Sequence, residues 1–275
     1  MLRFSRSSGD IKNLVRELFS TMPDLAGKTV VDIPAGSGYI DDLLIDQGAR
    51  VEAYDLFPEF YTARGVACSK ADLQKRLPIP DNHADIVLFQ EGIEHLPHQL
   101  FALQEMRRIL RPGGTLILTT PNISHLRGRV SNLLLESELY NRLPENELNG
   151  VWHSGSSEMY FGHLFLIPAQ RLRVLARIAG LRIRKIHSVK ASTTSMVLAF
   201  LYPLLALASA YAYISSLRRD RAVDPATKRS SYREMVRLNL HPSVVFGKHL
   251  FMEFERDPLD FGGTLHVSKD RKTIL

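Results

Sequence analysis

Short, unbroken apolar runs alternate with amphipathic stretches over the first 122 residues. "KTVVDI" (28–33), "RVEAYDL" (50–56), "GVACSKA" (65–71), "ADIVLFQ" (84–90) and "TLILTTP" (115–121) have the length and β-branched content of buried, parallel-type strands. Helical spacing fills 10–22, ended by Pro23, then about Tyr39 to Gln47, then 98–110, which leads through the turn "RPGG" into the fifth strand. This alternation predicts an α/β fold: a doubly wound, mostly parallel sheet with helices on both faces.

After Pro121 the pattern changes. Residues 124–165 mix a helical stretch with a polar, Asn/Ser/Gly-rich passage and are expected to form a cap or lid. A basic amphipathic helix is predicted at 168–179, strands at 181–189 and 248–256, and a polar tail from Asp257. The expected organisation is an N-terminal helix (1–26), an α/β domain (27–190 and 244–256), a helical insertion (191–243) and the tail (257–275).

The insertion contains the one anomalous stretch. From Ala191 to Leu217 there are 27 residues without a charge, and 196–214, "MVLAFLYPLLALASAYAYI", are nearly all apolar. That length reaches across a bilayer. A true span would, however, put the strands on either side of it across the membrane from one another, which a shared sheet forbids. Pro203 also interrupts a helix near its first third. The expectation is a kinked helix or helical hairpin that either packs on the domain, pairs with a second copy or dips into a membrane interface. Arg182, Arg184, Lys185 and Lys190 before it, and Arg218, Arg219 and Arg221 after it, would meet anionic head groups. Tyr211 and Tyr213 suit an interfacial position.

Composition changes this picture little, but charge sharpens it. A chain of 275 residues that is 45% apolar and 23% charged is globular. Residues 1–122 carry 13 basic and 16 acidic side chains, 123–275 carry 22 and 13, and 168–237 carry 14 against 3. That local excess favours an anionic partner, although a solvated basic face has the same composition. Cys68 is the lone cysteine, so no intrachain disulfide forms; in its apolar run it is expected to be buried and inert. The N-terminus lacks a secretory apolar region, which makes the cytoplasm the expected location, peripheral to a membrane if the insertion docks there.

In "VVDIPAGSGYI" (30–40), Asp32 closes a strand and Gly36 and Gly38 precede a helix. Such a turn lets an anionic ligand approach bare backbone. Asp55 ends the second strand, 23 residues after Asp32, where a carboxylate accepts from a ribose diol, and Asp72 follows the third. The dinucleotide fingerprint requires a third glycine at position 41, but Asp41 stands there, which favours a mononucleotide-like ligand over NAD.

With "VVDIPAGSG", "AYDLFP", "KADLQKRLPIPDNHADIVLFQEGIEHL" and "LRPGGTLILTTPN" in this order, the chain resembles the class I S-adenosylmethionine-dependent methyltransferases from about residue 27 to 122, more weakly to 188 and again over 246–256. The resemblance implies strand order 3-2-1-4-5-7-6 with 248–256 antiparallel. It also implies that Gly36 and Gly38 border the methionine moiety, Asp55 holds the ribose, and Asp72 with Leu73 flanks the adenine. Asp32, Ala35, Leu56 and Gln90 are the further cofactor contacts that the resemblance implies. Pro34 stands where the family usually has glycine.

"EGIEHLPHQL" (91–100) then falls at the carboxyl edge of the fourth strand, beside the expected methyl group. Its E-x-x-E-H arrangement resembles two metal-dependent groups of the family, the ubiquinone-pathway O-methyltransferases and the small-RNA 2′-O-methyltransferases. The resemblance implies Glu91, Glu94 and His95 as ligands of Mg²⁺ or Mn²⁺, with His163 as the later ligand and His125 and His153 as alternates. Carboxylates and imidazole suit those ions, and a cation would lower the pKa of an acceptor hydroxyl. Without metal, His95 is the candidate general base, and Glu91, Glu94 and His95 are the catalytic candidates either way. His98 is expected to open the following helix.

The expected activity is therefore O-methylation of a small-molecule acceptor: a lipid-linked species, a glycan or a prenylated aromatic. A terminal RNA ribose is the second reading, weakened by the uncharged run. An NAD-dependent oxidoreductase and a non-catalytic membrane module are the remaining ones. Oligomeric state is not encoded in any motif.

Overall fold

The computed structural model describes residues 10–137, 143–146, 148, 150–153, 159–219 and 224–257. Among these, seven strands form one sheet: β1 (Thr29–Asp32), β2 (Arg50–Asp55), β3 (Cys68–Lys70), β4 (Ala84–Gln90), β5 (Leu110–Pro121), β8 (Leu181–Ile186) and β9 (His249–Arg256). A separate hairpin joins β6 (Val151–His153) to β7 (Met159–Phe161). The sheet order is β3-β2-β1-β4-β5-β9-β8. β1 to β5 pair in parallel, whereas β9 runs antiparallel to both β5 and β8. This is the expected order, with β9 as the antiparallel strand.

Burial explains the continuous apolar runs. All four residues of β1 are buried, because helices cover both faces of the sheet. On one face Val31, Val87, Leu116, Leu118, Met252 and Phe254 pack against α3 (Gln99–Ile109) and α5 (Ala169–Ile178) through Leu103, Met106 and Leu172. On the other, Val30, Ile86, Leu88, Ile117 and Phe251 meet α1 (Asp10–Ser20) and α2 (Asp41–Asp46). Ile11, Val15 and Phe19, four residues apart, are the buried stripe of α1.

α4 (Leu126–Leu135) follows β5, and among the described residues four α-helices lie between β8 and β9: α6 (Thr193–Val197), α7 (Tyr202–Arg219), α8 (Pro225–Leu240) and α9 (Pro242–Phe246). From Thr193 onward the uncharged run is helical, with a 3-10 turn at Leu198–Leu201 before α7. Pro203 is the second residue of α7, where its missing N–H has no helical partner to lose, so the helix begins there rather than breaking. α7 and α8 form an antiparallel hairpin. Tyr202 Oη donates to the Leu240 carbonyl (3.1 Å), Asn239 Nδ2 to Ser209 Oγ (2.8 Å) and Lys228 Nζ to the Leu217 carbonyl (2.8 Å).

Thr193–Arg219 is long and apolar enough to cross a membrane by length and composition. The topology forbids it: β8 and β9 are hydrogen-bonded neighbours, and the returning α8 carries Lys228, Arg229, Arg233, Glu234 and Arg237. One sequence expectation is corrected here. Cys68 lies on the three-residue edge strand β3 and is only half-buried; partial burial and the nearby Asp55 nonetheless push its thiol up to about 11, which keeps it protonated at neutral pH.

Candidate active site

A cavity of about 490 Å³ opens at the carboxyl ends of β1, β2 and β4. Strand order reverses between β1 and β4, so the chain leaves this edge in opposite directions and a crevice remains. Ala35, Gly36, Asp55, Leu56, Asp72, Leu73 and Gln90, all expected at the cofactor, line it. Asp55 braces the loop after β1: its Oδ2 accepts from Gly36 N and its Oδ1 from Phe57 N, both at 2.8 Å. Each oxygen keeps a further lone pair, so the carboxylate can still take two hydroxyl donors. Asp72 accepts from Gln74 N (2.9 Å) and pairs with Lys75 (3.1 Å), which fixes the turn opposite.

Two expected contacts lie elsewhere. Gly38 is not on the cavity wall. A Cβ there would stand 2.5 Å from the Tyr61 ring and 2.6 Å from Ala63, so this glycine admits the loop after β2 rather than a ligand. Asp32 sits behind the loop against Asp41, whose Oδ2 accepts from Tyr61 Oη at 2.7 Å. Burial first, and the adjacent Asp41 second, push Asp32 well above the usual carboxylate range, which favours its protonated form. Gly36, by contrast, has φ 53° and no protein atom within 4 Å of a built Cβ.

The two glycines therefore predict opposite outcomes. Gly38→Ala is expected to lower stability by about 2–4 kcal/mol, measured by denaturant unfolding. Gly36→Ala is expected to cost only about 1 kcal/mol in backbone strain while weakening cofactor binding by roughly 10-fold or more, read by calorimetry.

Sequence reasoning missed the rest of the wall. Lys12 reaches it from α1, its ammonium 5.7 Å from the Tyr39 ring centroid. Phe57 and Phe60 come from the turn after β2, and Tyr160 and Phe161 from β7. The aromatic spacing of "LFPEFY" was a visible signal for the first pair; Lys12 and β7 are brought in by tertiary packing alone.

At the far end of the cavity a 3-10 turn, Ile93–His95, meets a second, His163–Phe165. Buried Gln99 ties them, its Nε2 donating to the carbonyls of Ile93 (3.1 Å) and Phe165 (2.5 Å). Gly92 allows the first turn to close, since a Cβ would stand 2.6 Å from Phe89 and 2.7 Å from Pro34. His95 stacks on Tyr160 (centroids 5.0 Å) and places Nδ1 2.7 Å from the Phe161 carbonyl. A carbonyl only accepts, so Nδ1 carries the proton and Nε2 is left with its lone pair. Burial lowers the His95 pKa against the opposing pull of that carbonyl, which keeps the ring neutral at pH 7.

Glu94 is fully buried. Its Oε2 accepts from Thr120 Oγ1 (2.9 Å), while Oε1 has no hydrogen-bond partner and lies 4.0 Å from His95 Nε2. Burial first, and the Glu91 charge second, push Glu94 up to about 8. Ligand atoms of Glu94, His95 and His163 lie within 4.8 Å of one another. Glu91, expected in the same set, is not in this cluster. Its left-handed backbone (φ 46°) and its N–H bond to the Thr119 carbonyl (3.0 Å) accompany a turn toward β9, where Oε2 stands 3.6 Å from His249 Nε2. Burial pushes Glu91 up to about 7.

His125, an alternate, instead caps α4, its Nδ1 accepting from Gly128 N at 2.9 Å, and burial pushes it down to about 4. The side chain of His153 lies outside the described residues. His98 precedes α3 and takes no part in the cluster, as expected.

Comparison with known proteins agrees with this arrangement. A profile of the methyltransferase domain matches residues 5–186. A probable S-adenosylmethionine-dependent methyltransferase of Mycolicibacterium smegmatis is 34% identical over 101 residues, 35% of this chain and 39% of that protein. A ubiquinone biosynthesis O-methyltransferase of Xanthomonas oryzae pv. oryzae is 32% identical over 108 residues, 36% of this chain and 45% of that protein. These matches thus span less than half the length of either curated relative. The crystal structure of an S-adenosylmethionine-dependent methyltransferase from Mesorhizobium loti shares the fold at TM-score 0.51 and 12% identity, over 90% of this chain and 99% of that one.

Proposed function

Because this chain belongs to the methyltransferase-domain family of S-adenosylmethionine-dependent proteins, we propose that it methylates a hydroxyl oxygen on an aromatic or lipid-borne acceptor, with His95 taking the proton. The carrying observation is the His95 geometry: Nδ1 is pinned by the Phe161 carbonyl, and the neutral Nε2 is free beside the cavity. When bound, S-adenosylmethionine supplies an already activated sulfonium methyl group, and S-adenosylhomocysteine remains after transfer. The protein's task is then to bind, align and deprotonate.

In this reading Asp55 accepts from the ribose hydroxyls and the turn at Asp72 and Leu73 borders the adenine. Lys12 balances the cofactor's carboxylate, its ammonium standing at the cavity wall over the Tyr39 ring. Phe57, Phe60, Tyr160 and Phe161 favour an aromatic or apolar acceptor and exclude water from its oxygen. The acceptor O–H bond breaks as the C–O bond forms, and the proton passes to His95 Nε2 and from there to solvent.

A second reading rests on one observation, the orphaned Oε1 of buried Glu94 beside two imidazoles. Glu94, His95 and His163 would hold Mn²⁺ or Mg²⁺, the imidazole content favouring Mn²⁺, and the ion would acidify the acceptor hydroxyl.

Calorimetric titration with S-adenosylhomocysteine tests the cofactor half of the proposal. The wild-type protein is expected to bind, and Asp55→Ala to bind at least about 30-fold more weakly, since it removes a buried charged acceptor. No binding by the wild type removes the proposal. Methyl transfer from labelled cofactor to phenolic acceptors tests the other half.

A further inference from the structure

The long uncharged helical segment is used neither by the cavity nor by the core. α7 rests on α8 along one side and leaves the other bare. Val197, Phe200, Leu204, Leu207, Tyr211 and Ile214, spaced alternately three and four residues apart, form one stripe, each 51% to 76% exposed. The end of α4 packs beside the 3-10 turn at 198–201 and adds Leu133 and Leu134, themselves 82% and 71% exposed. Only 6% of the apolar window within 193–219 is buried. A continuous apolar face of this extent is not what solvent selects.

We infer that this face is an interfacial docking surface that lies in the plane of an anionic bilayer, with the outer side of α7 among the acyl chains. Charge argues for this occupant. No acidic side chain occurs from Ala191 to Arg219, and the stripe ends in exposed Arg218 and Arg219. One helix behind it, Arg229, Arg233 and Arg237 recur every fourth residue along α8, lining a groove of about 670 Å³ against β8. Arg218 and Arg219, next to the stripe, stand where a surface potential is felt, within the Debye length of about 8 Å at physiological salt.

A second copy of the chain is the competing occupant, because spacing of three and four also suits a helix pair. Paired helices place charges beside their apolar seam. Here the neighbouring positions are Pro203, Ala208, Ala210 and Ala212. That absence favours lipid.

The position of the face gives it a purpose. Thr120, whose hydroxyl holds Glu94, pairs with Leu250 on β9, and Ala191, two residues before α6, bridges Gly247, three residues before Leu250 in the chain. The chain that leads through α6 to Val197 thus leaves the sheet about 10 Å from the reacting end of the site, measured along the backbone. An acceptor dissolved in the membrane would be delivered to the edge of the sheet where the cavity opens. The docking itself requires only the fold, so it can fail without touching the catalytic proposal, and the reverse.

Flotation with vesicles separates the possibilities. The full chain is mixed with vesicles of phosphatidylcholine alone or of phosphatidylcholine with phosphatidylglycerol. The double variant L204E/L207E is compared after confirming unchanged S-adenosylhomocysteine binding and monomer mass by light scattering. Expected is flotation of the wild type with the anionic vesicles, reduced at least about 10-fold in L204E/L207E and weakened in R218E/R219E. Failure of the wild type to float overturns the inference, as does flotation indifferent to L204E/L207E. A wild-type dimer that L204E/L207E converts to monomer, with no vesicle binding in either, overturns it in favour of a second copy.

Discussion

Replacing His95 with glutamine is expected to slow methyl transfer by about 10²–10⁴-fold while changing S-adenosylhomocysteine affinity by no more than about 3-fold. The reason is local. Glutamine is close in size to histidine, and its amide can still donate to the Phe161 carbonyl that now receives Nδ1–H at 2.7 Å. What it lacks is a basic nitrogen at the position of Nε2. The pH profile gives the second signature. Burial holds the His95 pKa below 6.5, so the wild-type rate should fall only at acid pH, as the imidazole takes a proton and loses its lone pair. The variant's residual rate should lack that acid limb. An H95Q enzyme that retains wild-type turnover would remove His95 from the chemistry; one that loses cofactor affinity in parallel would make it a wall residue only.

Most of the scaffold was legible because it depends on short-range pattern. "ADIVLFQ" can be little other than a buried strand, and β4 spans those same residues. Asp55, Asp72 and Gly36 line the cavity together, and the order strand–turn–carboxylate that groups them is itself linear in sequence. The failures share one cause, which is that proximity in a fold is not spacing in a chain. Gly38 is separated from Gly36 only by Ser37, yet it faces Tyr61 and Ala63, 23 and 25 residues later. Glu91 and Glu94 look like one chelating unit, but a left-handed residue at the end of β4 sends them toward different partners, His249 and the His95 cluster. His163, 68 positions away, joins that cluster because Gln99 clamps the two turns together. No local signal announces Lys12 or Tyr160 as wall residues; each depends on where a whole helix or hairpin docks.

Glu94→Gln is expected to stabilise the unliganded protein at alkaline pH and to leave it nearly unchanged at pH 5. The carboxyl titrates at its ordinary 4.5 when the chain is unfolded and at about 8 when folded, because burial and Glu91 oppose its charge. Between those values the native state holds a proton that the unfolded state has released. By linkage, the stability present below pH 4.5 is therefore lost as pH rises toward and through 8. The interval corresponds to about 3–5 kcal/mol, or roughly 5–15 °C in thermal midpoint. Glutamine keeps an oxygen for Thr120 Oγ1 and never ionises, so its midpoint should stay flat over this range while the wild type falls below it. The same titration separates the two catalytic readings. A cation among Glu94, His95 and His163 requires the carboxylate, so Mn²⁺ should raise the wild-type midpoint, more at pH 8.5 than at pH 5.5, and leave E94Q unmoved. A wild-type midpoint indifferent to Mn²⁺ at both pH values leaves His95 alone as the proton acceptor. A midpoint that does not fall with pH relative to E94Q would mean that Glu94 is already ionised in the fold, held by a partner in place of its proton.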